Sequence, residues 1–205
     1  MSGVRSALLW PLALLWRLNV RLRAPLARRE WHSASLGECD GFPVAVANHA
    51  KAELLRTSVG RALALIRRVH PRQYARLRHD LRGILVVQGR GLNGLSEENR
   101  ICCLTERNVT RSSVAVTAGS IVHEAAHARL AASGIPYAPG VMKRCEAYCF
   151  RAQIAFAKRL PRDEFSFVDD WVAYLQRWIG VWPSPSAAFR EYRRPTPHRP
   201  QLPAA

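Results

Sequence analysis

Residues 119–130 read GSIVHEAAHARL, and three side chains in this run, His123, Glu124 and His127, have the types and spacing for metal chemistry. On a helix, positions i and i+4 lie one turn apart on one face, so the two imidazoles can share an ion. Glu124 is rotated by about 100° from His123. It can stand beside the ion without binding it and accept a proton from water that the ion has activated. With seven His and ten Glu in 205 residues, a His-Glu-x-x-His pattern arises by chance in roughly one chain in a hundred. The flanking Ile121, Val122 and Leu130 argue for burial, which is costly for imidazoles with nothing to engage them.

A catalytic zinc site takes three protein ligands and keeps a fourth position open. Glu146 follows His127 after 18 intervening residues. A helix end, a loop holding Pro136 and Pro139, and one chain reversal fit in that interval. Cys145 and Cys149 are rival ligands on one helix face, while Glu146 shares its face with Cys149 and Phe150. A site of two thiolates and two imidazoles would be closed and structural. His70 and His79 upstream, and His198 near the C-terminus, are the remaining candidates.

HEAAH followed after 18 residues by Glu146 resembles the gluzincin group of zinc metallopeptidases, which includes the thermolysin-like and aminopeptidase N-like enzymes. The resemblance covers about 30 residues, and about 100 if the strands before the motif are counted. It implies His123, His127 and Glu146 as ligands of Zn2+, Glu124 as general base, and a small sheet preceding an active-site helix and a glutamate helix. The sequence departs from the group at Arg129, where an apolar residue is common. It departs again at Phe150, where thermolysin-like enzymes carry an aspartate that orients a ligand histidine, and it has no G-x-M-E-N signature. The thermolysin-like subgroup is therefore not supported, and an orphan small gluzincin is the better description.

The elements that must carry these residues follow from periodicity. Residues 50–69 show helical spacing through Leu54, Leu55, Val59, Leu63 and Ile66. Pro71 ends that helix and opens the next, to about Leu81. Residues 83–88 and 101–105 are short, apolar and β-branched, so they read as strands, with residues 43–47 as a third. Helices are predicted over 117–132, closed by Gly134, over 141–160, and from Asp163, as cap, through Trp178. The fold class expected is α+β, a mainly helical, minimal zincin-like domain with a small antiparallel sheet before the active-site helix. Residues 41–182 form the domain, 1–40 a leader and 183–205 a proline-rich disordered tail.

Composition is that of a globular protein, 48% hydrophobic and 22% charged, which excludes a wholly disordered chain and a polytopic membrane protein. The 31 basic residues, all Arg except Lys51, Lys143 and Lys158, outnumber 15 acidic ones for a net +16. That balance favours an anionic contact. Much of the excess lies on the two helices between residues 50 and 82, as a solvated face or a phosphate-binding one. In the leader, the apolar run of residues 7–16 with Trp10 and Trp16 precedes Arg17, Arg21, Arg23, Arg28 and Arg29. It is too short to span a bilayer but suits the surface of an anionic one. Ser33-Ala34-Ser35 lies far downstream for a signal-peptide cleavage site. Five cysteines in no disulfide framework favour a reducing compartment such as the cytoplasm, with the membrane periphery as the leader's place.

The chemistry expected is hydrolysis of peptide bonds in a peptide or protein substrate. The oxyanion donor would come from Tyr137, Tyr148 or Tyr174, the substrate strand would pair near Ile84–Val87, and Arg144 would meet its carboxylate. The alternatives are a zinc-binding scaffold without catalysis, or a basic protein that binds membranes or nucleic acid.

Overall fold

Along the chain the elements run α1 (residues 25–33), β1 (Ser35–Cys39), β2 (Phe42–Val46), α2 (Ala52–Val69), α3 (Pro71–Asp80), β3 (Gly83–Val87), β4 (Gly94–Ser96), β5 (Ile101–Thr105), α4 (Glu106–Arg111), α5 (Val114–Ala132), α6 (Met142–Ala157) and α7 (Val168–Trp178). The computed structural model describes residues 25–88, 93–135, 137–138 and 141–179. The apolar run of residues 7–16 and the proline-rich segment 183–205 lie outside the described residues. The fold is α+β and mainly helical, with one small five-stranded sheet in the order β1-β2-β3-β5-β4. No helix among the described residues is long and apolar enough to cross a membrane.

The sheet is mixed, not antiparallel as the strand-loop-strand reading had it. The central strands β2, β3 and β5 run parallel, with Val44 opposite Ile84 and Ile84 opposite Cys102. Only the outer pairs, β1 with β2 and β4 with β5, are antiparallel. The reason lies in the connections. The helical pair α2 and α3 carries the chain from the end of β2 back to the start of β3, as a parallel crossover requires. A strand covered on both faces carries an unbroken apolar run, and Ile84, Leu85 and Val86 are all buried. Pairing with β2 on one side and β5 on the other leaves β3 no edge for a substrate. The free edges belong to β1 and β4.

One face of the sheet meets the main core, where Phe42, Leu55, Leu63, Ile66, Leu77, Ile84, Leu104, Ile121 and Phe156 are almost fully buried. Each such side chain contributes about 1.5–3 kcal/mol relative to exposure. The other face is covered by α1, with Ala27 against Ala45, Leu85 and Ile101, and with Trp31 packed at the margin. Residues 25–39 thus belong to the folded unit, which begins before residue 41, the boundary read from the sequence. The short length of α1 and its single buried alanine hid this role. Cys102 and Cys103 point to opposite faces of β5, the first into the main core and the second toward α1.

At the C-terminal side α7 starts at Val168, with Phe167 rather than Asp163 at its N-cap. Residues 162–164 form a turn instead. Asp169 in the first turn of α7 takes an ion pair from Arg162 at 3.0 Å and places negative charge at the positive helix end.

Candidate metal centre

The motif helix α5 is held at both ends by local sequence. Ser113 caps it, its Oγ accepting from Val116 N at 3.3 Å. Gly134, at φ +75°, lets the chain turn off, and Ile135 N returns to Leu130 O at 3.0 Å. Only glycine adopts that left-handed conformation without strain. Between these ends α5 is buried nearly all round, through Ala115, Ala118, Ile121, Val122, Ala125, Ala126 and Ala128, as expected of a central helix. A side chain at Gly119 would meet the Trp171 ring at 2.5 Å, so glycine there admits α7 against the motif helix.

α6 runs back along α5. His123 meets Gln153, His127 meets Glu146, and Arg129 meets Tyr148. The helical period puts Glu146, Cys149, Phe150 and Gln153 on one buried face of α6, turned to the imidazoles. His123 and His127 have side chains 13% and 11% exposed, and Glu146 6%. Their tips converge. His123 Nε2 lies 3.2 Å from His127 Nε2, 3.3 Å from Glu146 Oε2, and Glu146 Oε1 lies 3.4 Å from His127 Nε2. Cys149 Sγ joins the two imidazoles in a group whose ligand atoms all lie within 4.8 Å of one another. This buried set of histidines and cysteine can hold a metal ion.

The neighbours orient the donors. Gln153 Oε1 is an acceptor 3.2 Å from His123 Nδ1, so that nitrogen donates away from the group and Nε2 is the atom turned into it. The His123 ring packs edge-on against Phe150, with centroids 4.9 Å apart, and the His127 ring against Tyr137 at 5.1 Å. The Tyr137 hydroxyl donates to Glu146 Oε1. Beyond His127, Arg129 binds Asp80 of α3 and donates to Tyr148 at 3.4 Å, tying α5 to both neighbouring helices.

Burial opposes ionisation of Glu146, but hydrogen bonds from His123 and His127, and their charge, outweigh it and hold the carboxyl well below the ordinary range. Burial likewise opposes charge on His127, yet the Glu146 hydrogen bond and the Glu124, Glu146 and Glu97 carboxylates raise its pKa. Burial, followed by Glu146 and Glu124, drives the Cys149 thiol far up. Burial and the Glu146 carboxylate do the same to the Tyr137 hydroxyl. Glu124 is 7% exposed, close enough for its charge to act on His127, Tyr137, Cys149 and, across on β5, Cys102.

Of the tyrosines weighed from the sequence, the structure brings Tyr137 to the centre. Tyr148 and Tyr174 are 37% and 41% exposed, the latter edge-on to Trp178 of α7. His79 faces Asp80, and His70 lies among Arg159, Arg76 and Arg72, so neither joins the group. His198 lies outside the described residues. Cys145 is buried beside Glu146 and Glu97, with Arg144 acting on it from solvent. Two residues at the centre were not found from sequence. Gln153 is legible only as the residue two helical turns beyond Glu146, and Glu97, whose charge acts on His127, carries no local signal at all.

No protein-family model, curated protein or solved structure matches this chain.

Proposed function

We propose that this protein is a zinc-dependent metallopeptidase of the gluzincin type, cleaving peptide bonds with His123, His127 and Glu146 as the zinc ligands and Glu124 as the general base. One observation carries the reading. The two imidazole Nε2 atoms lie 3.2 Å apart, and the Glu146 carboxylate spans them, with Oε2 3.3 Å from His123 Nε2 and Oε1 3.4 Å from His127 Nε2. Zinc–nitrogen and zinc–oxygen bonds of about 2.0–2.1 Å at the tetrahedral angle require donors about 3.3–3.4 Å apart. Two imidazoles and one carboxylate suit zinc chemically and leave a fourth position for substrate.

Bound zinc supplies a Lewis acid that polarises the scissile carbonyl and lowers the pKa of water. The rest falls to the chain. Glu124 takes the proton from the attacking water and hands it to the leaving amine. Gln153 keeps His123 in the ligating tautomer. Tyr137, on the loop after α5, would serve the oxyanion by turning its one hydroxyl proton from Glu146 Oε1 to the substrate oxygen. An extended peptide would lie along β4, the edge strand beside α5 among the described residues.

A second reading follows from Cys149. With this thiol as fourth ligand the site would be closed, and the protein a zinc-binding scaffold. The thiolate is the ligating form, and a thiol flanked by two carboxylates loses its proton less readily than Glu146, which is already ionised.

The deciding experiment is Glu124→Gln. The variant should keep one zinc per chain by elemental analysis and melt like the parent, because glutamine is nearly isosteric. Hydrolysis of a broad peptide library should fall by about 10² to 10⁴-fold, the usual contribution of general acid–base catalysis. Equal rates in parent and variant would remove Glu124 from the mechanism. A zinc-loaded parent that cleaves nothing in the library would favour the closed scaffold.

A further inference from the structure

We propose that the outward face of α3, continued through Arg82 to the start of α1, is a docking surface for an anionic phospholipid membrane. The inference stands apart from the metal chemistry and gives a use to positive charge that the metal centre does not engage.

α3 sits at the end of the sheet where β2, β3 and β5 begin. Tyr74 donates its hydroxyl to Asp40 Oδ2 at 2.8 Å, and Arg78 Nη2 donates to Gly41 O at 3.3 Å, both in the turn between β1 and β2. Past α3, Arg82 N donates to Arg100 O at 2.9 Å beside the starts of β3 and β5, and Arg100 Nη1 donates to His79 O at 3.2 Å. Arg28 of α1 reaches the same end, donating to Asn99 Oδ1 at 3.4 Å. These contacts join α3, Arg82, Arg100 and Arg28 into one surface. The inner side of α3 is buried through Gln73, Tyr74, Leu77 and Asp80, with Asp80 held by Arg129. Its exposed positions are Pro71, Arg72, Ala75, Arg76, Arg78 and His79, three arginines and a histidine with no acid among them. Arg82 and Arg28 are exposed as well. Among the described residues, the Lys and Arg ion pairs engage Lys51, Arg56, Arg67, Arg68, Arg129 and Arg162, so this surface keeps its charge for an outside partner. Asp40, at its border, is already bound by Arg67, and Glu98 lies beside Arg28 and Arg29 at the α1 end.

Charge alone suits either lipid or nucleic acid. Two observations select lipid. Residues 1–24 join the fold at this surface, because Pro25 opens α1 just before Arg28. That stretch holds the apolar run of residues 7–16, with Trp10 and Trp16, followed by Arg17, Arg21 and Arg23, a composition fitted to a lipid interface. Leu26, in the first turn of α1, is 55% exposed and adds an apolar side chain beside the arginines. The second observation is that the exposed positions of α3 offer no aromatic ring on which a nucleic-acid base could stack. Guanidinium groups pair with the phosphates of lipid headgroups through charge-assisted hydrogen bonds, and each basic side chain near an anionic bilayer raises partitioning on the order of five-fold.

The test is sedimentation of the full-length protein with vesicles of phosphatidylcholine, with and without phosphatidylglycerol. The parent should pellet with the anionic vesicles and stay in solution with the neutral ones. Arg72→Gln combined with Arg76→Gln should lower partitioning into the anionic vesicles by about ten-fold or more. Its melting temperature should not change, because neither side chain has an ion pair to lose. Arg107→Gln combined with Arg111→Gln removes the same charge from α4, which follows β5 at the opposite end of the sheet, and should leave partitioning nearly unchanged. Equal losses in the two double variants would overturn the surface, since net charge and not this face would then set binding. Partitioning that ignores phosphatidylglycerol, or no pelleting with either vesicle, overturns it too. So does binding that survives Arg72→Gln with Arg76→Gln, which would leave the contact to residues 1–24. A fluorescent duplex oligonucleotide probes the other occupant. If it binds through Arg72 and Arg76 while anionic vesicles do not, the face is a nucleic-acid site and the lipid assignment is wrong.

Discussion

Glu146 and Cys149 stand three residues apart on α6, and both turn toward the imidazole pair. The carboxylate arrives ionised, since two imidazoles hold its pKa down, while the thiol arrives protonated because burial and neighbouring carboxylates hold its pKa up. Ligation by Glu146 therefore releases no proton of its own, and ligation by Cys149 would have to displace one. Glu146→Ala should weaken zinc binding by more than the roughly 10–100-fold that loss of an orienting partner such as Gln153 costs. Cys149→Ser should keep one zinc per chain. Competition with a chromophoric chelator measures both affinities. Zinc retained without Glu146 and lost without Cys149 would mark a thiolate site and end the gluzincin assignment.

Two helices bring the candidate ligands together, and a third holds the pair in place. α5 carries both histidines because i and i+4 coincide on a helix face, and α6 returns along it because the segment after Gly134 reverses the chain. α3 is joined to this unit through Asp80, whose side chain is 8% exposed and bound to Arg129, two residues past His127. Arg129 occupies the position where the gluzincin resemblance implies an apolar residue, and the buried carboxylate of Asp80 is the reason a charge can stand there. Asp80→Ala would strand the Arg129 guanidinium in a largely buried place. A loss of about 2–3 kcal/mol is expected in denaturant unfolding, somewhat below a fully buried pair because a quarter of the Arg129 side chain meets solvent. Replacing both residues by Leu and Met should recover much of that loss, since neither charge is then left without its partner. A double variant as unstable as Asp80→Ala would show that the packing of α3, and not the ion pair, sets the cost.

The whole molecule should gain stability from metal, since the ligands come from two helices and the unfolded chain has no preformed site. At about a hundred-fold excess of free zinc over Kd the gain is about 2.7 kcal/mol, visible as a rise in Tm that a chelator reverses. Its pH dependence follows from the two shifted groups. The raised pKa of His127 stabilises the metal-free fold below the ordinary imidazole value, and that contribution is lost as pH rises through the raised value. The lowered pKa of Glu146 contributes above the ordinary carboxylate value and is lost as pH falls through the lowered one. On the proposed ligation, zinc would bind only neutral His127. The metal-dependent increment in Tm should therefore grow as pH rises through the imidazole range, and apparent affinity should fall by about ten-fold per pH unit below it if one proton is displaced. Calorimetric melting with and without zinc across that range checks the slope, and an increment independent of pH would exclude His127 as a ligand. What the sequence determined by itself was local. Periodicity placed α2, α3, α5 and α6 within a few residues, and i, i+4 spacing put His123 and His127 on one face, because both depend only on neighbours along the chain. The parallel order of β2, β3 and β5, the docking of α1 on the sheet, and the arrival of Gln153, Glu97 and Asp80 around the motif were decided by tertiary structure. Gln153 lies 30 residues from His123, and Asp80 lies 49 residues from Arg129. At such separations no local pattern records the meeting, and the packing of the helices on the sheet alone brings the pairs together.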